Sequence, residues 1–484
     1  MHILLYYRAE FSYTLFSFQG SAILEDGTAA SENGTGASEL KEGSVWRNSF
    51  LETKTSNKLV SSIQEKLKHV SPLLGESCIS RVPRALRKVN EDAYTPQVVS
   101  IGPYHHGSER LRAMEQHKVR YLSDFFERKP RHSLEDFVER LKILEESARQ
   151  CYGPSIEIES DAFLEMMLLD GCFIIELIFK FCEKREEVMK KDPLFHIHSM
   201  IPAIRVDMLL LENQYPFVVL EQLLSLFFGD DPQNFSGSFC IKHVLQFFNF
   251  KYLLSMAQED RVESDPSEIT HFLDLLRECC LPSLPYSWVE QEEDHKFIPS
   301  ATELHEAGVK FRKGGGNSFM DLKFTIRGVL RKKGVFEIPP LTVQDTTEVL
   351  FRNLIAFEQC FKTSGEQYVT HYLALLDFLI NSPKDVSILR RSGIIVNFLG
   401  DNDQVSVLFN KIFLGVTLFA DHFYFYKLSR DVNRYYNTPW HSFRAMLDRE
   451  YFYSPWSTAS SIAVIIVVVC TIIQAVCSVI SVVP

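Results

Sequence analysis

Apolar residues recur at helical spacing through most of the chain between residues 108 and 260. Leu111, Met114, Tyr121, Leu122 and Phe125 fall on one face of a helix that follows Ser108, a suitable N-cap. The stretch "DAFLEMMLLDGCFIIELIFKF" (161–181) opens on Asp161 and is apolar on nearly every side. Its Glu165, Asp170, Glu176 and Lys180 would each cost about 2.5–3.5 kcal/mol near a bilayer centre, so it predicts a buried core helix. Gly171 marks a close helix–helix approach there, at a propensity cost of about 1 kcal/mol. Between 307 and 340 the pattern shifts to short runs rich in Val, Phe and Ile bounded by Gly or Pro. These predict a small antiparallel β-strand group, ended by Pro339 and Pro340. Asp345 and Glu348 then supply a capping-box start to another helix, and 366–435 alternates helices with breaks at "NSPKD" and "LGDND".

The most hydrophobic stretch lies at 461–484. Ile462 to Val483 carries no charge and only one strongly polar side chain, Gln474. At about 1.5 Å of rise per residue it crosses a hydrocarbon core of about 30 Å. Tyr451, Phe452, Tyr453 and Trp456 precede it as an interfacial aromatic belt. Arg444 and Arg449 lie just upstream, with Lys427, Arg430 and Arg434 further back, and nothing basic follows. The positive-inside rule then places the bulk of the chain in the cytosol, in a tail-anchored topology. At the other end, "MHILLYYRAEFSYTLFSFQG" is interrupted by Arg8 and Glu10 and makes a poor signal peptide. Were it one, the topology would invert and the sequons at Asn33 and Asn234 would be open to glycosylation. The predicted organisation is a largely flexible leader at 1–75, a helical domain with a small β insertion at 76–440, a juxtamembrane segment at 441–460 and the membrane anchor at 461–484.

Composition narrows the function classes. The chain has 484 residues, 46% hydrophobic and 23% charged, which is globular composition. A net charge of −11, with no dense Lys/Arg block, argues against a nucleic-acid partner, which would need a basic face for phosphates. Ten cysteines are scattered without a CxxC pair or zinc-type spacing, and read as free thiols in a reducing compartment.

The candidate chemistry is thin. Glu165 and Glu176 lie on similar sides of their helix, but about 16 Å of rise separates them, beyond the ~5–9.5 Å of paired catalytic carboxylates. Glu176 and Lys180 form an i,i+4 pair in the favourable order. His105 and His106 in "IGPYHHG" precede a helix bearing Glu115 and His117; a turn or cap role outweighs metal binding for them, since no third ligand has motif spacing. His196 and His198 have no partner cluster. "KGGGN" (313–317) lacks the Lys-Ser/Thr and the helix of a phosphate-binding loop. The sequence supplies no catalytic set, metal site or cofactor motif. "LLLENQYPFVVL" (209–220) buries Glu212, Asn213 and Gln214 among apolar neighbours and reads as a helix–helix corner. Asp207 to Glu212 finish one helix, Asn213 takes the left-handed position, Pro216 begins the next, and Glu212 serves the amides at its start.

Seven blocks occur in order: "CISRVPRALRKVNEDAYTPQVVSIGPYHHG", "MEQHKVRYL", "LLDGCFIIEL", "DMLLLENQYPFVVLEQL", "GVFEIPPL", "FRNLIAFEQC" and "GIIVNFLGDNDQVSVLFN". Together with the apolar end they closely resemble the plant domain-of-unknown-function 247 family, from about Cys78 to Pro484. The resemblance implies a plant protein, mainly α, with a large helical body and one C-terminal transmembrane helix. It supplies no reaction and no catalytic residues. The residues that carry it are Gly102, Pro103, Tyr104, His105, His106, Gly107, Asp170, Gly171, Glu212, Asn213, Gln214, Pro216, Asn353, Glu358 and Gln359. Two departures stand out: the first 20 residues differ from a usual family start, and "TIRGVLRKK" lengthens the strand segment before "GVFEIPP". Some grass members are linked to pollen self-incompatibility. No motif places this chain in that subgroup; the anchor, the large helical body and the lack of a catalytic constellation make the leading expectation a membrane-anchored, non-enzymatic recognition or signalling protein, with the lipid bilayer and a protein as partners. The alternatives are an uncharacterised membrane-tethered enzyme using the His105/His106 region and a structural or defence-associated adaptor.

Overall fold

The computed structural model describes residues 56–68, 77–153, 156–183, 192–229, 237–250, 269–282, 297–315, 318–328, 333–419, 422–439, 443, 446 and 455–482. Both sequons, Arg444, Arg449 and Tyr451–Tyr453, and the leader before Ser56, lie outside them. Helix α1 (Ser56–Lys68) belongs to a first unit of the chain, and everything from Pro72 onward to a second. The first half of that second unit holds α2 (Arg84–Arg87), α3 (Arg112–Glu127), α4 (Leu134–Cys151), α5 (Ser160–Glu183), α6 (Pro193–His196), α7 (Met200–Asp207), α8 (Phe217–Phe228), α9 (Gly237–Phe248) and α10 (Phe272–Cys280). Then come α11 (Ala301–Glu306), β1 (Lys310–Lys313), β2 (Lys323–Arg327), β3 (Lys333–Ile338), β4 (Leu341–Val343), α12 (Asp345–Phe361), α13 (Tyr368–Leu379), α14 (Pro383–Arg391), β5 (Ile395–Asn397), α15 (Asn402–Ile412), α16 (Tyr426–Tyr436) and α17 (Pro455–Val482). The fold is mainly α, as the periodicity predicts.

A helix apolar on every side needs neighbours on every side, and α5 has them. Its Phe163, Cys172, Phe173, Ile174 and Leu177 are fully enclosed. Tyr121 of α3 packs on Phe173 at 5.1 Å between ring centroids, and Phe137 of α4 stands edge-on to Phe125 at 5.6 Å. Phe227 of α8 reaches both Phe125 (4.9 Å) and Phe179 (5.6 Å), while Phe247 of α9 meets Phe181 at 5.4 Å. Gly171 is where this packing is tightest: a Cβ there would run into Leu223 Cδ1 and come within 2.6 Å of Tyr215 Oη. The second half is built on α12, which packs against α10, α13 and α15.

Several local expectations change. The strand group is not wholly antiparallel. Its order is β1-β3-β2, with β2 antiparallel to β3 but β1 parallel to it, since β1 pairs not with its sequence neighbour β2 but across to β3. A second pair, β4 and β5, is also parallel and joins segments about fifty residues apart, beyond the reach of local pattern. The register puts Phe311, Phe336 and Phe324 on one face, and Phe324 meets Tyr435 of α16 at 5.7 Å. The box at the start of α12 is made by Gln344 and Thr347, while Glu348 faces Asn90 and Arg352 instead. Ser108 precedes a short 3-10 turn (Glu109–Leu111), and its side chain caps nothing. Glu176 does not pair with Lys180: it takes Arg128 in a two-point contact (2.5 and 3.0 Å), and Lys180 bridges Asp124 (2.6 Å) and Asp192 (2.8 Å).

Helix α17 is long and apolar enough to cross a membrane. Within it, Ala459–Ser478 has a mean hydropathy of 2.6, and none of that window is buried against protein.

Candidate functional site

Residues 77–108 form little regular structure, yet most of the stretch from Tyr94 to Ile101 is buried or half-buried. Its amides and carbonyls therefore need partners from elsewhere, since a buried unpaired backbone group costs about 1–3 kcal/mol. Those partners are the polar side chains of the 207–214 corner. Asp207 accepts from three successive amides, Gln97 (3.0 Å), Val98 (2.6 Å) and Val99 (2.9 Å). Asn213 accepts from Ile101 N–H (2.7 Å) and donates to the carbonyls of Val99 and Asp207, each at 2.9 Å. Gln214 donates to Met208 O (2.8 Å) and Leu210 O (2.7 Å) and accepts from Leu273 N–H (3.0 Å), which ties α10 to the corner.

The corner differs from the expected one in its details. Leu211–Asn213 is a right-handed 3-10 turn, and Asn213 is not among the residues of positive φ. Pro216 stands at the N-cap of α8, with φ −64° and ψ 128°, and not in its first turn. Glu212 serves no amide of α8. It reaches back to α2 and the segment before it, accepting from Val82 N–H (2.6 Å) and Arg87 Nη2 (2.5 Å), with His105 Nε2 at 3.3 Å from its other oxygen. The carboxylate is 1% exposed. Burial pushes it up, but His105, Arg87 and the Val82 amide outweigh that and hold it below the usual carboxylate range.

Four further residues repeat the device. Asp170 on α5 accepts from Gly102 N–H (2.8 Å) and pairs with Lys118 Nζ (2.6 Å), which also donates to Ser100 O (2.6 Å) and pairs with Glu115 (2.8 Å). Lys118 is fully enclosed; burial pushes its ammonium down, but Asp170 and Glu115 together raise it. Asn353 on α12 accepts from Leu211 N–H (2.9 Å) and donates to Ala93 O (2.7 Å), joining the corner to the 77–108 segment. Glu358 takes Arg277 Nε (3.1 Å) and the amides of Val369 (3.1 Å) and Thr370 (2.8 Å), fastening the start of α13. Gln359 clasps Thr417 from both sides, donating to its carbonyl (3.0 Å) and accepting from its amide (3.1 Å).

The "SIGPYHHG" stretch is held by the same lattice. Gly102 has φ +70°, and a Cβ there would lie 2.8 Å from both Gln214 O and Tyr152 Oη, so only glycine fits. Pro103 is half-buried beside it. Tyr104 donates to Ile79 O (3.3 Å) and accepts from Gly153 N–H (3.1 Å). His105 turns inward to Glu212, whereas His106 and Gly107 are exposed. Glu115 is turned to Lys118, so the two His residues, Glu115 and His117 do not converge. Glu165 is exposed and Glu176 is buried, and His196 and His198 lie on the surface. Among the described residues no group of three or more His, Cys, Asp and Glu gathers as a metal set.

A groove of about 350 Å³ lies elsewhere, between Arg128, Phe179, Cys182, Glu183, Phe227 and His243, and no residue of the polar lattice lines it. What the lattice can do chemically is hold an irregular segment rigid: its carboxylates and amides are occupied by backbone groups and buried cations. Sequence pattern missed Asp207, Arg87, Lys118 and Arg277 as members. Asp207, Arg87 and Lys118 lie inside three of the seven blocks and were within reach; Arg277 lies in none of them.

A family model described as "Plant protein of unknown function" (DUF247) matches residues 79–470. The chain is 32% identical over 432 residues to the Arabidopsis thaliana protein named UPF0481 protein At3g47200, covering 84% of this chain and 86% of that one. It is 25% identical over 489 residues to another from the same plant, named Putative UPF0481 protein At3g02645, covering 82% and 89%. No solved structure matches.

Proposed function

The chain belongs to the plant DUF247 family, and from that premise we propose that it is a membrane-anchored, non-enzymatic recognition or signalling protein. One observation carries the reading: a 20-residue stretch of mean hydropathy 2.6 in α17 with none of its residues buried against protein. Such a surface in water would be an aggregation site, whereas hydrocarbon solvates it. The body joined to it spends its buried polar groups on its own backbone, which suits a rigid display surface. The bilayer is one partner, through Ile462 to Val483, and a protein is the other; the bulk of the chain faces the cytosol.

Carbonate extraction of membranes from tissue expressing the full chain tests the anchor. The chain is expected in the pellet, and in the supernatant when Val467 and Val468 are both replaced by Arg. Recovery of the unaltered chain in the supernatant would overturn the anchor. Proximity labelling from the anchored chain then tests recognition: a reproducible protein neighbour lost with the Arg pair supports it. A phenotype indifferent to the anchor, with no specific neighbour, counts against it.

A further inference from the structure

Two of the scattered cysteines are brought side by side by the fold. Cys78 opens the irregular segment and Cys151 closes α4, where the chain forms an isolated parallel bridge between Ile79 and Tyr152. The amides of Cys78 and Ile79 both donate to Cys151 O, at 3.0 and 2.9 Å, and Gly153 N–H returns to Ile79 O at 3.2 Å. Cys78 and Cys151 therefore precede the bridged pair as direct neighbours in register. With the Cys78 amide 3.0 Å from Cys151 O, the two Cα atoms stand at about the ~4.4–6.8 Å that a disulfide spans. The two thiols lie close enough that Cys151 is the chief influence on the Cys78 sulfur. Both are half-buried thiols outside any disulfide, so a small oxidant can reach them. His271 Nε2 fixes the Cys78 carbonyl at 3.0 Å, and the Thr270 hydroxyl also contacts the Cys78 sulfur, so this end of the segment is held in place.

We propose that Cys78 and Cys151 are a redox-modification site, forming a reversible disulfide when the protein meets a peroxide. The neighbouring Cys151 and burial push the Cys78 thiol up, so Cys151 is given the first attack and Cys78 the second. Cys151 Sγ, as thiolate, attacks one peroxide oxygen; the O–O bond breaks, hydroxide leaves and takes up a proton as water, and Cys151 becomes a sulfenic acid. Cys78 then loses its proton, its sulfur attacks the Cys151 sulfur, and the S–O bond breaks with release of a second water. Two thiols are oxidised by two electrons and one peroxide is reduced to two waters. The product encloses the "SIGPYHHG" stretch in a covalent ring and pins the start of the segment to α4. In a reducing compartment such a bond is transient, which is the behaviour of a sensor and not of a structural staple.

The full chain in detergent is treated with equimolar hydrogen peroxide, its remaining thiols are alkylated, and it is mapped by mass spectrometry without reduction. The expected result is a Cys78–Cys151 cross-linked peptide, lighter than the two free peptides by about 2 Da and reversed by dithiothreitol. In Cys78→Ser the second step has no nucleophile, so Cys151 is expected to accumulate sulfenic acid trapped by dimedone. Alkylation of both thiols in peroxide-treated wild-type protein that keeps its far-ultraviolet circular dichroism would overturn the proposal. So would pairing of either sulfur with a different cysteine. The wild-type map decides the matter even where the variant does not fold.

Discussion

Glu212 is the sharpest test of a structural lattice against a catalytic one. Glu212→Gln keeps an oxygen for Val82 N–H but removes the charge that faces Arg87 and His105. Those two side chains are 24% and 14% exposed, so water relieves part of the loss and the full buried-pair penalty does not apply. A cost of roughly 1–2 kcal/mol follows for the weakened charge-assisted contacts. Glu212→Ala removes every acceptor: it orphans the Val82 amide, leaves Arg87 without its 2.5 Å partner and opens space at the corner. Its cost is roughly 3–4 kcal/mol. Urea unfolding of the full chain in detergent, followed by near-ultraviolet circular dichroism, measures both. The graded order, Gln mild and Ala severe, is the expected outcome. Alanine within about 0.5 kcal/mol of wild type would refute the reasoning. Unchanged stability together with loss of a measurable turnover would move Glu212 into catalysis.

Gly171→Ala gains about 1 kcal/mol of helix propensity but forces its methyl onto Leu223 and the Tyr215 hydroxyl, which donates to Met167 O at 2.9 Å. A net loss of roughly 1–3 kcal/mol is expected in the same urea assay, and a stabilised variant would show that α5 and α8 can separate. Acid stability follows from two buried histidines. Burial drives His271 down to about 4 and His371 to about 3, and His271 accepts from Asp274 N–H (3.1 Å) as a neutral ring. Both folded values lie below the unfolded one, so below pH 6.5 the unfolded chain binds more protons. Each contribution is present above about pH 6.5 and is lost as pH falls toward the folded value, roughly 3 kcal/mol for His271 by pH 4. Between pH 6.5 and 4.5 the stability of His271→Gln is expected to fall less steeply than that of wild type; equal slopes would sink the assignment.

The sequence by itself determined what depends on composition and short-range period. The helical class, the burial of α5, the close approach at Gly171 and the apolar stretch at 462–483 all follow from residues within a turn or two of each other. The polar core of "LLLENQ" was legible as buried and as a corner, because charged and amide groups amid Leu and Phe demand partners. Which partners they take was not legible. Glu212 finds Val82 and Arg87, Asp207 finds Gln97 to Val99, and Asn353 finds Ala93, all at separations of more than a hundred residues. A local reading assigns Glu212 to the nearest helix start and joins Glu176 to Lys180, since those are the neighbours it can see. The parallel pairings of β1 with β3 and of β4 with β5 escape it for the same reason. Only the tertiary structure decides such pairings, because a buried polar group settles on whichever unpaired donor the packed chain brings to it, and that is set by the whole fold. The meeting of Cys78 and Cys151 is one more case: the chain carries no cysteine motif, and the bridge beside them makes the pair.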